Sequence, residues 1–246
     1  MVIKQQINLT MKKVIYTCIT GNYDSLKQPL AVREDWDYIC FSDCLPEGKD
    51  GVWEVRRIPY EDIYKSRFPK LLPHKVLSDY DLSLYMDANL QIISDELYKI
   101  TEANSDKPIC QVPHPDTDCL YEELRHCYNA GKISFTKAKK LCSRLVSEGF
   151  PRNYGLFENN IILRWHNNSE VEAMDEDWWN MLPSGAGRDQ LSAMYVYWKH
   201  DYKPSLLFGE GINARNSNCI KYYPHEGKYL GRKTPKFIKN LLSKFL

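Results

Sequence analysis

The sequence predicts an α/β domain in which a mostly parallel central sheet carries helices on both faces. Three observations support that expectation. Short runs rich in β-branched and aromatic residues interleave with helical patterns. Gly, Pro, Asp and Asn punctuate the boundaries between them. The 246 residues suffice for one large domain with its own core. In chain order, strands are expected at residues 14–19 (VIYTCI), 36–41 (WDYICF), 52–58 (VWEVRRI) and 82–86 (LSLYM). A helix follows over 95–103, with Ser94 placed to cap it. Residues 108–112 (PICQV) read as a strand, 121–130 and 135–147 as helices, and 160–163 (NIIL) as a further strand. Ser169 and Glu172 form a capping-box pattern before a helix at 171–181, and a last helix is expected at 189–198. Alternating strands and helices are the pattern of a parallel sheet covered on both sides.

The patterning makes residues 11–232 one domain. The charged helical stretch at about 117–150 reads as an insertion or lid, and 233–246 as a basic amphipathic tail. Residues 1–10 lack a clear pattern, so Met11 is a candidate start. Formal net charge is only +1, which argues against a whole-domain nucleic-acid binder and leaves any anionic partner to a local patch. No signal-peptide pattern and no apolar run of about 18 residues occurs, so a soluble cytoplasmic protein is expected. The eight cysteines are scattered and read as reduced thiols. Cys40 and Cys44 have a zinc-like spacing but no second Cys/His pair nearby to complete a tetrahedral site. Neither GxGxxG nor GxxxxGK[ST] is present, which weighs against dinucleotide oxidoreductases and P-loop enzymes.

In such sheets ligands gather beyond the carboxyl ends of the strands. The segment Leu82–Leu90 (LSLYMDANL) delivers Asp87 to a strand end, with Asn89 two residues on and on the same side of an extended backbone. Two oxygen ligands at that spacing can hold a divalent cation against a pyrophosphate. A plain strand-ending Asp/Asn turn explains the pair equally well. Lys65, Arg67, Lys70, His74 and Lys75 make a basic segment just ahead of that strand, and Arg67 and Lys70 are the candidates to meet a diphosphate. A solvated helix face is the plainer account of the others.

The LSLYMDANL segment resembles the DxD element of GT-A glycosyltransferases, with Asn89 in place of the second acid. An ordered set of strings also resembles the glycosyltransferase-like family long catalogued as domain of unknown function 616, of the TOD/MUCI type. These are VIYTCITGNYDSL (14–26), DYICFSD (37–43), SRFPKLLPHKVL (66–77), SLYMDANLQI (83–92), HPDTDCLYEE (114–123), GLFENNIILRWH (155–166) and GRDQLS (187–192). The resemblance implies a GT-A fold binding a nucleotide-diphosphate sugar, with a UDP-sugar the expected donor. It places Thr17, Gly21, Asn22 and Tyr23 at base and ribose, and Arg67, Lys70, Asp87, Asn89 and Arg188 at the donor diphosphate and sugar. A manganese or magnesium ion would be held by Asp87, Asn89 and His225, the last from a weak match to a glycogenin-type His element. Asp189 and Gln190 resemble the Asp-Gln pair of glycogenin-type retaining enzymes, with Asp189 at the helix N-terminal dipole and Gln190 beneath the anomeric carbon. His114, Glu122, Glu158 and Asn159 are the expected acceptor contacts. Trp178 and Trp179 are candidates for stacking on sugars, with a core role expected for at least one of them.

The implied activity is transfer to a surface glycan or lipid-linked saccharide, with retention; catalysis by Asp189 as base from the opposite face would instead invert. A metal-dependent phosphoester hydrolase and a non-catalytic nucleotide-sugar or glycan-binding module are the alternatives. The tail, with Phe237, Ile238, Leu241, Leu242, Phe245 and Leu246 on one face and lysines elsewhere, suits the surface of an anionic membrane or docking onto its own domain.

Overall fold

The computed structural model describes residues 11–21 and 23–227. Asn22 and the tail at 233–246 lie outside these described residues. In chain order the elements are β1 (Lys13–Ile19), β2 (Asp37–Ser42), β3 (Gly48–Asp50), β4 (Trp53–Arg57), α1 (Phe68–Leu71), β5 (Leu82–Met86), β6 (Leu90–Ile92), α2 (Glu96–Ala103), β7 (Ile109–Pro113), α3 (Leu120–Asn129), α4 (Phe135–Ser147), β8 (Phe157–Arg164), α5 (Ser169–Ser184), α6 (Ala193–Lys199), β9 (Ser205–Leu206) and β10 (Ile220–Tyr222). Short 3-10 turns at Lys65–Arg67, Pro73–Lys75 and Asp189–Leu191 punctuate them.

The sheet is eight-stranded in the order β3-β4-β2-β1-β5-β8-β7-β9, and β10 pairs with β6 in a separate ribbon. β4, β2, β1 and β5 run parallel, while β8 runs against both β5 and β7 and β3 runs against β4. The sheet is therefore mostly parallel, as expected, with β3 and β8 as antiparallel members. Strand periodicity divides the core. Val14, Tyr16 and Tyr85 point to one face, where α3, α4, α5 and α6 bring Leu124, Leu141, Trp178 and Tyr197. Ile15, Leu82 and Leu84 point to the other, which is covered by Leu97 and Tyr98 of α2 and by Ile92 and Ile220 of the ribbon. α3 and α4, the expected insertion, thus share the main core.

Several boundaries differ from expectation for local reasons. The cap of α5 is Asn168, whose side chain accepts from the N–H groups of Glu170 and Val171, so the capping box at Ser169 does not form. Ser94 Oγ does accept from Glu96 N–H, at 3.1 Å. The helix expected over 189–198 splits into the turn at Asp189–Leu191 and α6. β8 begins at Phe157 and contains Glu158, Asn159 and Asn160 because it is bulged against β7. Gln111 pairs with Ile162 but Val112 with Glu158, leaving residues 159–161 unmatched on that side. No disulfide forms among the eight cysteines, and no helix of the described residues is long and apolar enough to cross a membrane.

Candidate active site

A cleft of about 750 Å³ opens where β1 and β5 end and β8 bulges. Its floor is an ionic cluster centred on Lys70. The Lys70 ammonium lies 2.7 Å from Asp189 and 3.5 Å from Asp87, and 4.9 Å from the ring centre of Tyr85. Tyr85 donates its hydroxyl to Asp87 at 2.7 Å. Lys70 and Asp189 are 6% and 8% exposed, so these charges act through little solvent. Burial alone would raise the Asp189 pKa, yet Lys70, Arg67 and Arg188 together hold it well below the usual carboxylate range. Asp189 is therefore a fixed anion and a weak proton acceptor.

Asp189 reaches this place by a turn rather than a helix terminus. Gly187 takes φ +76 with the Tyr64 hydroxyl 3.4 Å from where a Cβ would stand, and the chain then presents Arg188 and Asp189. Buried Trp178 clamps that turn, its Nε1–H donating to the Asp189 carbonyl (3.2 Å) and the Ser192 hydroxyl (3.1 Å). Trp179 packs edge-on against Tyr60, Tyr64 and Phe68. Both tryptophans are thus engaged in packing. The expected pairing of Asp189 with a helix dipole is replaced by its ion pair with Lys70.

Beneath the floor lies a buried pair. Arg164 and Asp175, both 0% exposed, meet at 2.6 Å. Arg164 also donates to the Tyr16 hydroxyl at 3.3 Å and to the backbone carbonyl of Lys70. Asp175 and Tyr16 keep the guanidinium charged despite its burial. α1 is thereby anchored to β8 at the residue that carries the central ammonium.

The bulge in β8 makes the other wall. Glu158 is held by Arg215 at 2.6 Å and by Asn160 Nδ2 at 3.1 Å. Buried Gln111 donates to Asn159 Oδ1 at 2.8 Å, while Asn159 Nδ2 has no protein partner. The Gln190 carboxamide is committed to the same strand, donating to the Phe157 carbonyl (2.7 Å) and accepting from Asn159 N–H (3.3 Å). It braces the bulge rather than presenting a free amide beneath a sugar.

The remaining expected contacts divide. His114, Glu158, Asn159, Arg67, Arg188 and Tyr23 line the cleft. Glu122 does not: it is exposed and accepts from the Thr117 hydroxyl. Glu123, one residue on, is 8% exposed and faces the cleft, with His114 and His126 each 3.7 Å away and the Cys127 thiol at 3.1 Å. Thr17 sits on the opposite sheet face beside Trp53 and Met86, its hydroxyl partnerless, and Cys18 and Thr20 occupy the cleft side. Burial pushes the Cys18 thiol up, and burial with Glu123 pushes that of Cys127 up to about 12, so neither is a thiolate nucleophile. Gly21 takes φ +57, its N–H donating to Asp43 at 2.8 Å. Asp43, which ends the DYICFSD string, also meets Lys65 at 2.8 Å. Burial raises its pKa, but Lys65 and the Gly21 N–H outweigh that and hold it low.

The cation expected at Asp87, Asn89 and His225 requires about six converging oxygen or nitrogen ligands, some supplied by water. Asn89, 3% exposed, donates its amide to the Tyr223 carbonyl at 2.7 Å. His225 Nδ1 is turned to Asp24 at 2.9 Å and its ring lies against Tyr23. Asp87 Oδ1 already receives Tyr85 and Lys70. Among the described residues no three His, Cys, Asp or Glu side chains converge as metal ligands. The bonds to Tyr223 and Asp24 use Asn89 Nδ2 and His225 Nδ1 and leave the ligating atoms, Asn89 Oδ1 and His225 Nε2, uncommitted, so what stands against a divalent cation is the Lys70 ammonium on Asp87 and Asp189.

An α/β sheet with a polar, cation-rich cleft at the strand ends suits an enzyme that acts on an anionic ligand, and the family match makes that class glycosyltransferase-like. Residues 3–211 match the family model described as TOD1/MUCI70, glycosyltransferase-like domain, and the chain belongs to that family. No curated protein matches it by sequence. Among solved structures it is similar to mouse xyloside xylosyltransferase 1 in its apo form, at 8% identity and TM-score 0.46 over 80% of this chain and 84% of that one. It is also similar to the apo WbbM bifunctional glycosyltransferase, at 10% identity and TM-score 0.46 over 81% of this chain and 39% of that one. A third likeness is to apo GlyE of Streptococcus pneumoniae TIGR4, at 10% identity and TM-score 0.44 over 96% of this chain and 60% of that one.

Proposed function

We propose that the enzyme transfers a sugar from a nucleoside-diphosphate sugar, a UDP-sugar foremost, to a surface glycan or lipid-linked saccharide, with retention at the anomeric carbon. The observation that carries this reading is the Lys70 ammonium fixed between Asp87 and Asp189, with Arg67 and Arg188 on the same cleft. A diphosphate leaving group gains negative charge as it departs, and preorganised cations at that point lower the barrier. The sugar then lies toward Glu158, Asn159 and Glu123, whose carboxylates and amide suit hydroxyl recognition.

Retention is favoured because Asp189, held as an anion by its cationic neighbours, is a poor base for deprotonating an acceptor. In the front-face route the bond from the anomeric carbon to the phosphate oxygen breaks and its electron pair stays on that oxygen. The acceptor oxygen bonds to the same face, and its proton passes to the departing phosphate. Incubating the protein with a panel of nucleotide sugars and saccharide acceptors, with products read by mass spectrometry and anomeric configuration by NMR, tests this. An α-linked product from an α-linked donor is expected. Phosphate release without acceptor extension would instead mark a hydrolase, and a β-linked product would exclude retention.

A further inference from the structure

We propose that the Lys70 ammonium itself, rather than a bound divalent cation, meets the donor diphosphate and stabilises its departure. The inference rests on the reading of the cleft as a nucleoside-diphosphate-sugar site. Its ground is the position of Lys70. The two carboxylates that end the strand and the 187–192 turn, Asp87 and Asp189, are the natural anchors for a cation here, and a covalently tethered one already stands between them. That ammonium is held from three directions: by the two carboxylates, by the face of Tyr85, and through the Lys70 carbonyl, which Arg164 grips from the core.

A divalent ion entering the same space would face a fixed positive charge in a site where little solvent screens it. The diphosphate meets no such repulsion from that ammonium. Its oxygens can take the N–H groups of Lys70 while Arg67 and Arg188 balance the remaining charge. When the bond from the anomeric carbon to phosphate breaks, the electron pair and the new charge go to an oxygen that Lys70 hydrogen-bonds. Lys70 keeps its proton, and the acceptor's proton goes to the departing phosphate.

The test is UDP binding to the full chain by isothermal titration calorimetry, in EDTA and in manganese, with GDP and ADP as further probes. The expected result is an affinity unchanged between the two buffers, weakened at least about tenfold by Lys70→Met, and largely kept by Lys70→Arg. Mn²⁺ electron paramagnetic resonance supplies a second readout. The wild-type cleft should hold no manganese, whereas Lys70→Met, which releases both carboxylates, should acquire it. Should Lys70→Met prove misfolded by circular dichroism, the buffer comparison on wild type and Lys70→Arg decides alone. UDP binding that appears only with manganese would overturn the inference and leave the donor reading standing. Binding of no nucleoside diphosphate in either buffer would overturn the donor reading and this inference with it.

Discussion

Replacing Arg164 by Met should destabilise the fold by about 3–5 kcal/mol, the cost of leaving one member of a buried ion pair without its partner. Both side chains are 0% exposed and 2.6 Å apart, and burial pushes the Asp175 pKa up to about 7 even against the pull of Arg164, so removing the guanidinium leaves a buried acid that has lost its partner. For a domain of this size the melting temperature should drop by roughly 6–20 °C. The double variant Arg164→Met/Asp175→Leu should recover most of that loss, because apolar groups of similar volume replace a buried pair at little net cost. Its stability and its chemistry should then part company. The Lys70 carbonyl still lacks the donor that Arg164 supplied, so nucleotide binding should stay impaired although the protein melts normally. Differential scanning calorimetry and nucleotide titration on the same samples read the two effects. A single variant that loses less than about 1 kcal/mol would refute the reasoning, as would a double variant no more stable than the single one.

Four further outcomes are expected. His166 donates to the Leu77 carbonyl at 2.8 Å, and burial pushes its pKa from 6.5 down to about 4. The unfolded chain therefore takes up a proton near pH 6.5 that the folded chain refuses, and stability present above that pH is lost as pH falls toward about 4. The loss should reach roughly 3 kcal/mol in urea titrations and flatten in His166→Gln; an unchanged slope in that variant would contradict it. Asp87→Ala should lower kcat by about 10²-fold with the fold intact, since Lys70 loses one of its two tethers, and near-normal turnover would remove Asp87 from the site. Glu123→Gln should raise the acceptor KM while Glu122→Gln leaves it unchanged, and the reverse order in steady-state kinetics would favour the exposed residue. Gln190→Ala removes two hydrogen bonds from β8 and should cost about 1–3 kcal/mol in denaturant melts, with transfer impaired; full stability would mean that the carboxamide does not brace the bulge.

Much of this architecture is local and could be read from the chain. β1 and β5 are apolar runs whose polar ends mark the cleft, and Arg67, Lys70, Asp87, Arg188 and Asp189 gather there. Glu123 was also legible. Leu120, Glu123, Leu124 and Cys127 share one stripe at helical spacing, which puts Glu123 rather than Glu122 on the inner face of α3. Gln111 is a polar residue in an apolar strand, and Asp43 closes a strand just as Asp87 does. The anchoring of Lys70 by Arg164 was not legible, because its partners are 94 residues apart in sequence and no periodicity links them. The commitment of Asn89 and His225 to neighbours is equally a product of tertiary contact. β3 was not legible because it is too short and polar to signal a strand, and the start of β8 is hidden behind Glu158, Asn159 and Asn160.

The residues at 159–161 are out of register with β7 yet stay tied on the β5 side, where Ile161 pairs with Met86 and the Asn160 carbonyl accepts from Asp87 N–H at 2.8 Å. Ile162–Arg164 remain locked in ladder with both neighbours, so the sheet's alignment is set beyond the bulge. Changes at Glu158, Asn159 or Asn160 need not propagate into that alignment, since a one-residue slip there is absorbed locally instead of turning every following side chain over. The part of the strand on the proposed sugar side of the cleft is thus set off in its β7 register from the part that holds Arg164. On the proposed reading of the cleft, the saccharide accepted can change through these positions while the ladder carrying Arg164 stays where it is.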